Sequence, residues 1–297
     1  MQGNKNHVVQ VYRIKRAAPS APAVPVIYDS PHSGRLYPED FNYECDVGLM
    51  TRAEDNHVDD LLSGCTDLGI PLLCAEFPRT YIDLNRATDD IEPQQICDNN
   101  DLLSCNPSDK GQVGIGLIRR DIKPGIPVYR TRPTATEIKR RIEAYYDPYH
   151  QALSGLIDET ACTHGYLWHI NWHSMPSLGS VTPLPRLGRP QRRGQPDFVL
   201  GDRHGTTCWP VYTNKIKMFL SDLGYVVDIN DPYKGAEIVR RHSNPLQGRF
   251  SLQIEINKGL YWDERKIEKN SYFSLLKDDL QKLSSFLITL KPDTGSL

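Results

Sequence analysis

From Val24 onward the apolar residues of this chain switch repeatedly between two spacings, and that switching limits the folds open to it more than any other feature. Val24-Pro25-Val26-Ile27-Tyr28 is an apolar run of strand length. Val58, Leu61, Leu62 and Cys65 then recur at helical spacing within Asp55 to Leu68, and Ile70 to Phe77 returns to strand. The succession continues: Tyr166 to Asn171, Phe198 to Leu200, Tyr225 to Ile229 and Phe250 to Ile256 read as strands, and Thr134 to Cys162, Lys215 to Leu223 and Tyr272 to Leu287 as helices. Thr134-Ala135-Thr136-Glu137 has the form of a capping box, whereas Pro148, lacking an amide proton, is expected to break the helix it starts. Strands alternating with helices predict an α/β fold in three layers, a mostly parallel or mixed central sheet flanked by helices. Such sheets gather ligands at the carboxyl ends of their strands.

Residues 1–23 read as an N-terminal strand (Val8 to Ile14) and a linker (Ala17 to Pro22), because the linker's prolines sustain neither helix nor ladder. Residues 24–297 read as a single domain, long enough to bury a sizeable core. Two stretches lack periodicity: Thr88 to Arg132, expected to be a lid or substrate wall, and a Pro/Gly/Arg-rich loop from Pro176 to Pro196. A net charge of −2 provides no global field to attract nucleic acid or an anionic membrane. Met1 to His7 has no apolar signal core, and no stretch approaches the ~20 apolar residues of a membrane span, so a cytoplasmic location is expected. The seven cysteines contain no Cys-x-x-Cys pair and are expected to be reduced.

His32 and His173 each stand just beyond an apolar strand, and each precedes a serine. Neutral imidazoles there suit Zn²⁺, and a carboxylate from Glu54-Asp55 would complete a set of two histidines and one acid. No local spacing marks the set, and a histidine is more often a packing residue than a ligand. Glu255 also has two readings. Alternation sets Leu252, Ile254 and Ile256 on one face and Ser251, Gln253, Glu255 and Asn257 on the other, which fits either a half-solvated edge strand or a carboxylate placed for proton transfer. Arg79, Arg86 and Arg203 either pair with neighbours such as Asp83 and Asp202 or hold an anionic substrate.

Taken in order, several short motifs resemble the N-formylglutamate amidohydrolase family, itself similar to zinc carboxypeptidases and aspartoacylases. They are Ser30-Pro31-His32-Ser33-Gly34, Asp55-Asn56-His57-Val58-Asp59, Arg79 with Asp83-Leu84-Asn85-Arg86, Tyr149-His150, His173-Ser174-Met175-Pro176, Leu200-Gly201-Asp202-Arg203, Pro232-Tyr233-Lys234-Gly235 and Gln253 to Asn257. The resemblance covers about Val24 to Glu264. It implies a zinc-carboxypeptidase-like (phosphorylase/hydrolase-like) fold and hydrolysis of a small N-acyl acidic amino acid, first of all N-formyl-L-glutamate, in histidine degradation. It implies Zn²⁺ on His32 and His173. The third ligand is expected to be Asp55, ahead of Glu54 and His57, since Arg35 stands where carboxypeptidases carry their glutamate ligand. Glu255 is implied as general base and Arg86 as a second catalytic group, with Asn85, Arg86, Arg79 and Arg203 binding substrate. Two positions depart from the family: Asn171, where aspartate is frequent, and Lys258, where arginine is. The first bears on the support of His173, the second on side-chain preference.

Overall fold

In this computed structural model residues 10–98, 101–123, 125–177, 181–183, 190–192 and 195–292 are described. Seven strands among them form one mixed sheet: β1 (Tyr12–Lys15), β2 (Val26–Ser30), β3 (Leu72–Ala75), β4 (Leu167–Met175), β5 (Phe198–Gly201), β6 (Val227–Ile229) and β7 (Arg249–Asn257), in the spatial order β1-β3-β2-β4-β7-β5-β6. β3, β2, β4 and β7 run parallel. β1 closes one edge antiparallel to β3, and β5 runs antiparallel to β7 with β6 parallel beside it.

The two longest strands, β4 and β7, lie side by side in the interior and pair in unbroken register from Arg249 with Leu167 to Asn257 with Met175. Alternation then decides what each face receives. Trp168, Ile170 and Trp172 join Leu252, Ile254 and Ile256 in one apolar cluster, covered by the helices Pro210–Asp222 and Phe273–Thr289. Burying each such side chain contributes about 1.5–3 kcal/mol. The intervening residues face the helix Asp147–His164 at the start of the strands and a cavity at their carboxyl ends.

Several local expectations needed correction. Asp55 to Leu68 is not one helix: His57 enters at φ 56, and a single turn at Val58–Leu61 and a 3-10 turn at Cys65–Leu68 replace it. Val58, Leu61, Leu62 and Cys65 are nevertheless all buried in the apolar cluster, so the spacing identified the inward face though not the length. Pro148 does not break its helix. Asp147 N–H bonds Ile142 O, and this wider π turn at Ile142–Tyr146 carries Ala135–Arg141 into Asp147–His164. Thr134 Oγ does accept from Glu137 N–H at 3.0 Å. Tyr81 to Leu84 is irregular and is held by Asp83 N–H on Leu117 O at 2.8 Å. Short helices at Val47–Ala53 and Glu237–His242 were not expected from the pattern.

The Thr88 to Arg132 stretch folds in short pieces, a helical turn at Asp109–Gln112 and a hairpin of Asp121–Lys123 with Ile126–Pro127. In the Pro176 to Pro196 stretch Val181–Pro183 pairs with Pro190–Arg192; its other central residues, like Val8, lie outside the described ones. Among the described residues no helix is long and apolar enough to cross a membrane.

Candidate active site

The carboxyl ends of β2, β4 and β7 bring together the residues singled out above. His32 lies two residues beyond β2, His173 lies in β4, and Glu255 is its registered neighbour on β7. Asp55 arrives by a separate route: its N–H donates to His32 O at 3.0 Å, and Ser33 Oγ donates to Asp55 O at 3.2 Å. Gly34 lets the chain beyond His32 pass tightly against the backbone after β3, since a Cβ there would sit 2.3 Å from Phe77 O.

His173 Nδ1 lies 3.1 Å from His32 Nδ1 and 3.0 Å from Asp55 Oδ2, and His32 Nδ1 lies 3.4 Å from that same oxygen. All three residues are buried. Donors about 2.0–2.1 Å from one tetrahedral ion stand about 3.3–3.4 Å apart, so the triangle has the size of a ligand set. The outer nitrogens point the same way. His32 Nε2 meets Asp83 Oδ1 at 2.8 Å, and His173 Nε2 meets Asn171 Oδ1 at 2.8 Å, nearer than Asn85 Nδ2 at 3.1 Å, which assigns the proton to Nε2 in both rings. Two Nδ1 lone pairs and a carboxylate are thereby aimed at one point, an arrangement that repels itself unless a cation lies between them. The donor set fits a divalent metal ion.

Asn171 acts as a two-ended connector. Its amide donates to Asp29 Oδ1 at 2.8 Å while its carbonyl holds His173, and Asp29 also receives His169 Nε2 at 2.8 Å and Tyr149 Oη at 2.9 Å. Burial by itself would raise the Asp29 carboxyl, but His169, Asn171 and Tyr149 outweigh it and hold it below the usual range. An aspartate at 171 would face that charge, which gives the amide at this position a physical reason. Burial likewise opposes ionisation of Asp55, and the hydrogen bonds and charges of His173 and His32 outweigh it, keeping the carboxylate ionised. Glu54 instead accepts from Tyr37 Oη, and His57 Nδ1 meets Asp60 Oδ2 at 2.6 Å, so neither joins the cluster.

Glu255 is only 7% exposed, and β7 is paired on both sides, which removes the edge-strand reading. Burial, with Asp55 adding to it, raises its carboxyl above the ordinary range against the pull of His173 and Arg79. Its Oε1 accepts from Gln253 Nε2 at 2.8 Å. Gln253 Oε1 is fixed in turn by Asn85 Nδ2 and Ala236 N–H, each at 3.1 Å. Asn85 Oδ1 accepts Ile238 N–H at 2.8 Å, so both ends of that amide are engaged in building the site.

These residues open on a cavity of about 530 Å³ that also contains Arg79, Arg86, Lys110, Arg119 and Lys258. Arg79 donates to Asp83 Oδ2 at 2.7 and 3.2 Å and stands 3.8 Å from Asp55 Oδ1. Arg86 donates to Ile115 O at 2.9 Å and Asn85 O at 3.0 Å. Lys258 Nζ donates to Arg52 O at 2.9 Å and Glu54 O at 2.5 Å, bracing the backbone that carries Asp55. Arg203 departs from expectation: its Nη1 bonds Gly235 O at 3.1 Å, and it lines a neighbouring cleft rather than the cavity of the cluster. Lys110 and Arg119 were not singled out from sequence, because they sit in an aperiodic segment where no local signal tells a cavity wall from a solvated loop. Gln253 was assigned to the right face, though not to the support of Glu255.

Comparison with known proteins agrees with this architecture. Residues 24–262 match the family model described as N-formylglutamate amidohydrolase. The chain is similar to the N-formylglutamate deformylase of Pseudomonas aeruginosa, 28% identical with 82% of this chain and 84% of that protein covered. The same enzyme of Pseudomonas putida is 27% identical over 81% and 83%. Among solved structures, the N-formylglutamate amidohydrolase of Ralstonia eutropha JMP134 superposes with a TM-score of 0.84 at 39% identity, covering 94% of this chain and 97% of the other.

Proposed function

The chain belongs to the N-formylglutamate amidohydrolase family, and from that premise we propose that it hydrolyses N-formyl-L-glutamate to formate and L-glutamate at the cavity built by His32, Asp55 and His173. The observation that carries the assignment is the convergence of those three donors, all buried, beside the raised carboxyl of Glu255. We assign His32 Nδ1, His173 Nδ1 and Asp55 Oδ2 as the ligands of one zinc ion. When bound, such an ion lowers the pKa of its water toward ~7 and polarises a carbonyl oxygen.

The remaining roles fall to the chain's own residues. Glu255 takes the proton of the attacking water and returns it to the departing nitrogen, and its raised affinity for that proton suits both transfers. Gln253 holds the carboxylate toward the cluster through its bond to Oε1. Arg79, fixed by Asp83 and lying close to Asp55, presents a positive charge to the oxyanion. Arg86, anchored beside Asn85, takes the α-carboxylate. The buried Cys45, Cys65, Cys74 and Cys208 stand as free thiols, which supports a reducing, cytoplasmic setting.

The test is metal analysis of the purified protein together with formate release. Close to one zinc ion per chain and turnover of N-formylglutamate are expected, both lost in His32→Ala. A protein that binds no metal, or a His32→Ala variant with full metal content, sinks the assignment.

A further inference from the structure

Six cationic side chains line the cavity against three carboxylates, so the site carries a surplus of positive charge before any divalent ion is added. Most of the inner cations are already engaged, Arg79 by Asp83, Arg86 and Lys258 by backbone carbonyls. Arg119 is not. Among the described residues it has no carboxylate within 4.0 Å, and its one hydrogen bond is a long Nε contact to Asp121 O at 3.4 Å. Exposed Lys110 likewise has no carboxylate within 4.0 Å among the described residues, and its Nζ stands 5.4 Å from the centre of the Tyr233 ring.

The two belong to one folded block. Ile115 N–H bonds Lys110 O at 2.7 Å, Ile115 pairs antiparallel with Arg119, and Arg120 N–H bonds Gly114 O at 3.0 Å. Arg86 docks this block through Ile115 O at 2.9 Å. Leu117 N–H holds it to Asp90 O at 2.8 Å, an approach that needs Gly116, whose Cβ would lie 2.3 Å from that oxygen. The backbone that carries both cations is thus fixed before any ligand arrives, with Ile115 and Ile122 beside them in the cavity wall.

We infer that Arg119, assisted by Lys110, is the subsite for the side-chain carboxylate of the amino-acid substrate and sets the preference for an acidic residue. This rests on the deformylase reading above, and it assigns the far end of the substrate, with Ile115 and Ile122 covering the methylenes. Burial, then the charges of Arg79 and Arg86, push Arg119 down to about 10. An arriving carboxylate relieves that repulsion.

The experiment compares the metal-loaded full chain with its Arg119→Gln and Lys110→Gln variants on N-formylglutamate and on its neutral isostere N-formylglutamine. Losing a charge-assisted contact should lower kcat/KM for N-formylglutamate about 10- to 100-fold in Arg119→Gln, mainly through KM, and by less in Lys110→Gln. N-formylglutamine should change less than about threefold, so the preference collapses. Equal losses on both substrates, or no loss on either, overturn the inference while leaving deformylation intact. Failure of the unmodified protein to release formate from either compound refutes the underlying reading instead. Lys110 is exposed, so its variant keeps the test decisive if Arg119→Gln does not fold.

Discussion

The two faces of β4 and β7 come from alternate residues of the same strands, yet they are held by different forces. On one, Trp168, Ile170, Trp172, Leu252, Ile254 and Ile256 meet two helices through apolar contact, where stability grows with the area removed from water. On the other, His169, Asn171, His173, Gln253 and Glu255 are just as buried, but each is engaged by hydrogen bonds or by the charges around it. Burial alone does not indicate what a residue is for. The apolar face tolerates a change of shape at a cost in stability. The polar face ties each group to a particular neighbour, so a change there redirects a proton or a ligand.

The largest effect should come from the polar face. Glu255→Gln keeps the shape of the side chain but removes its proton affinity, and kcat should fall about 10²- to 10⁴-fold with zinc content unchanged; formate release beside metal analysis checks this. The converse test is Ile254→Ala. It should cost about 2–5 kcal/mol of unfolding free energy in urea while kcat/KM stays within about twofold, and a large loss of activity in folded protein would break the proposed division between faces.

Asn171→Leu sharpens the comparison by replacing the connector with an apolar side chain of similar size. His173 loses the acceptor that fixes its ring, and metal affinity should weaken about 10- to 100-fold in chelator competition, with a smaller change in melting temperature. An unchanged affinity would mean that Asn171 supports packing rather than the ligand.

The smallest effect concerns a deeper pair behind the polar face. His150 Nε2 donates to Leu84 O at 3.0 Å, and its Nδ1 meets His242 Nε2 at 2.8 Å. Burial first, then the charge of Arg241, lowers His150 to about 4 against the pull of Leu84 O and Asp29; burial with His150, His169 and Arg241 lowers His242 to about 2. Both are neutral in the folded chain, whereas in the unfolded chain each takes up a proton below about 6.5. Their contribution is therefore complete above that pH and is lost as pH falls toward the folded values, about 1 kcal/mol per histidine by pH 5.5. Urea midpoints at pH 7.5 and 5.5 should differ accordingly, and His242→Asn should reduce the difference.

Much of this organisation was legible in the residue pattern. The five interior strands from Val26–Ser30 to Arg249–Asn257 lie where apolar runs were found, and the alternation in Ser251 to Asn257 sorted β7 into its two faces correctly. His32 and His173 were marked by their place at strand ends. Asp55 was distinguished from Glu54 and His57 only by family resemblance, because neighbours in a turn point in different directions and no spacing rule says which one turns inward. Arg203 drew notice for a short polar motif, yet its backbone, at φ 51, directs the side chain to Gly235. Lys110 and Arg119 gave no signal.

By itself, then, the sequence determined the layers, the two-faced strands and the kind of chemistry open to their ends, since period and residue type act over a few neighbouring residues. Only the tertiary structure decided which distant acid meets the two histidines, which cations stay without a carboxylate, and how Asp29 reaches His173 through an amide. Those outcomes depend on contacts between segments far apart in the chain, and local spacing carries no record of them.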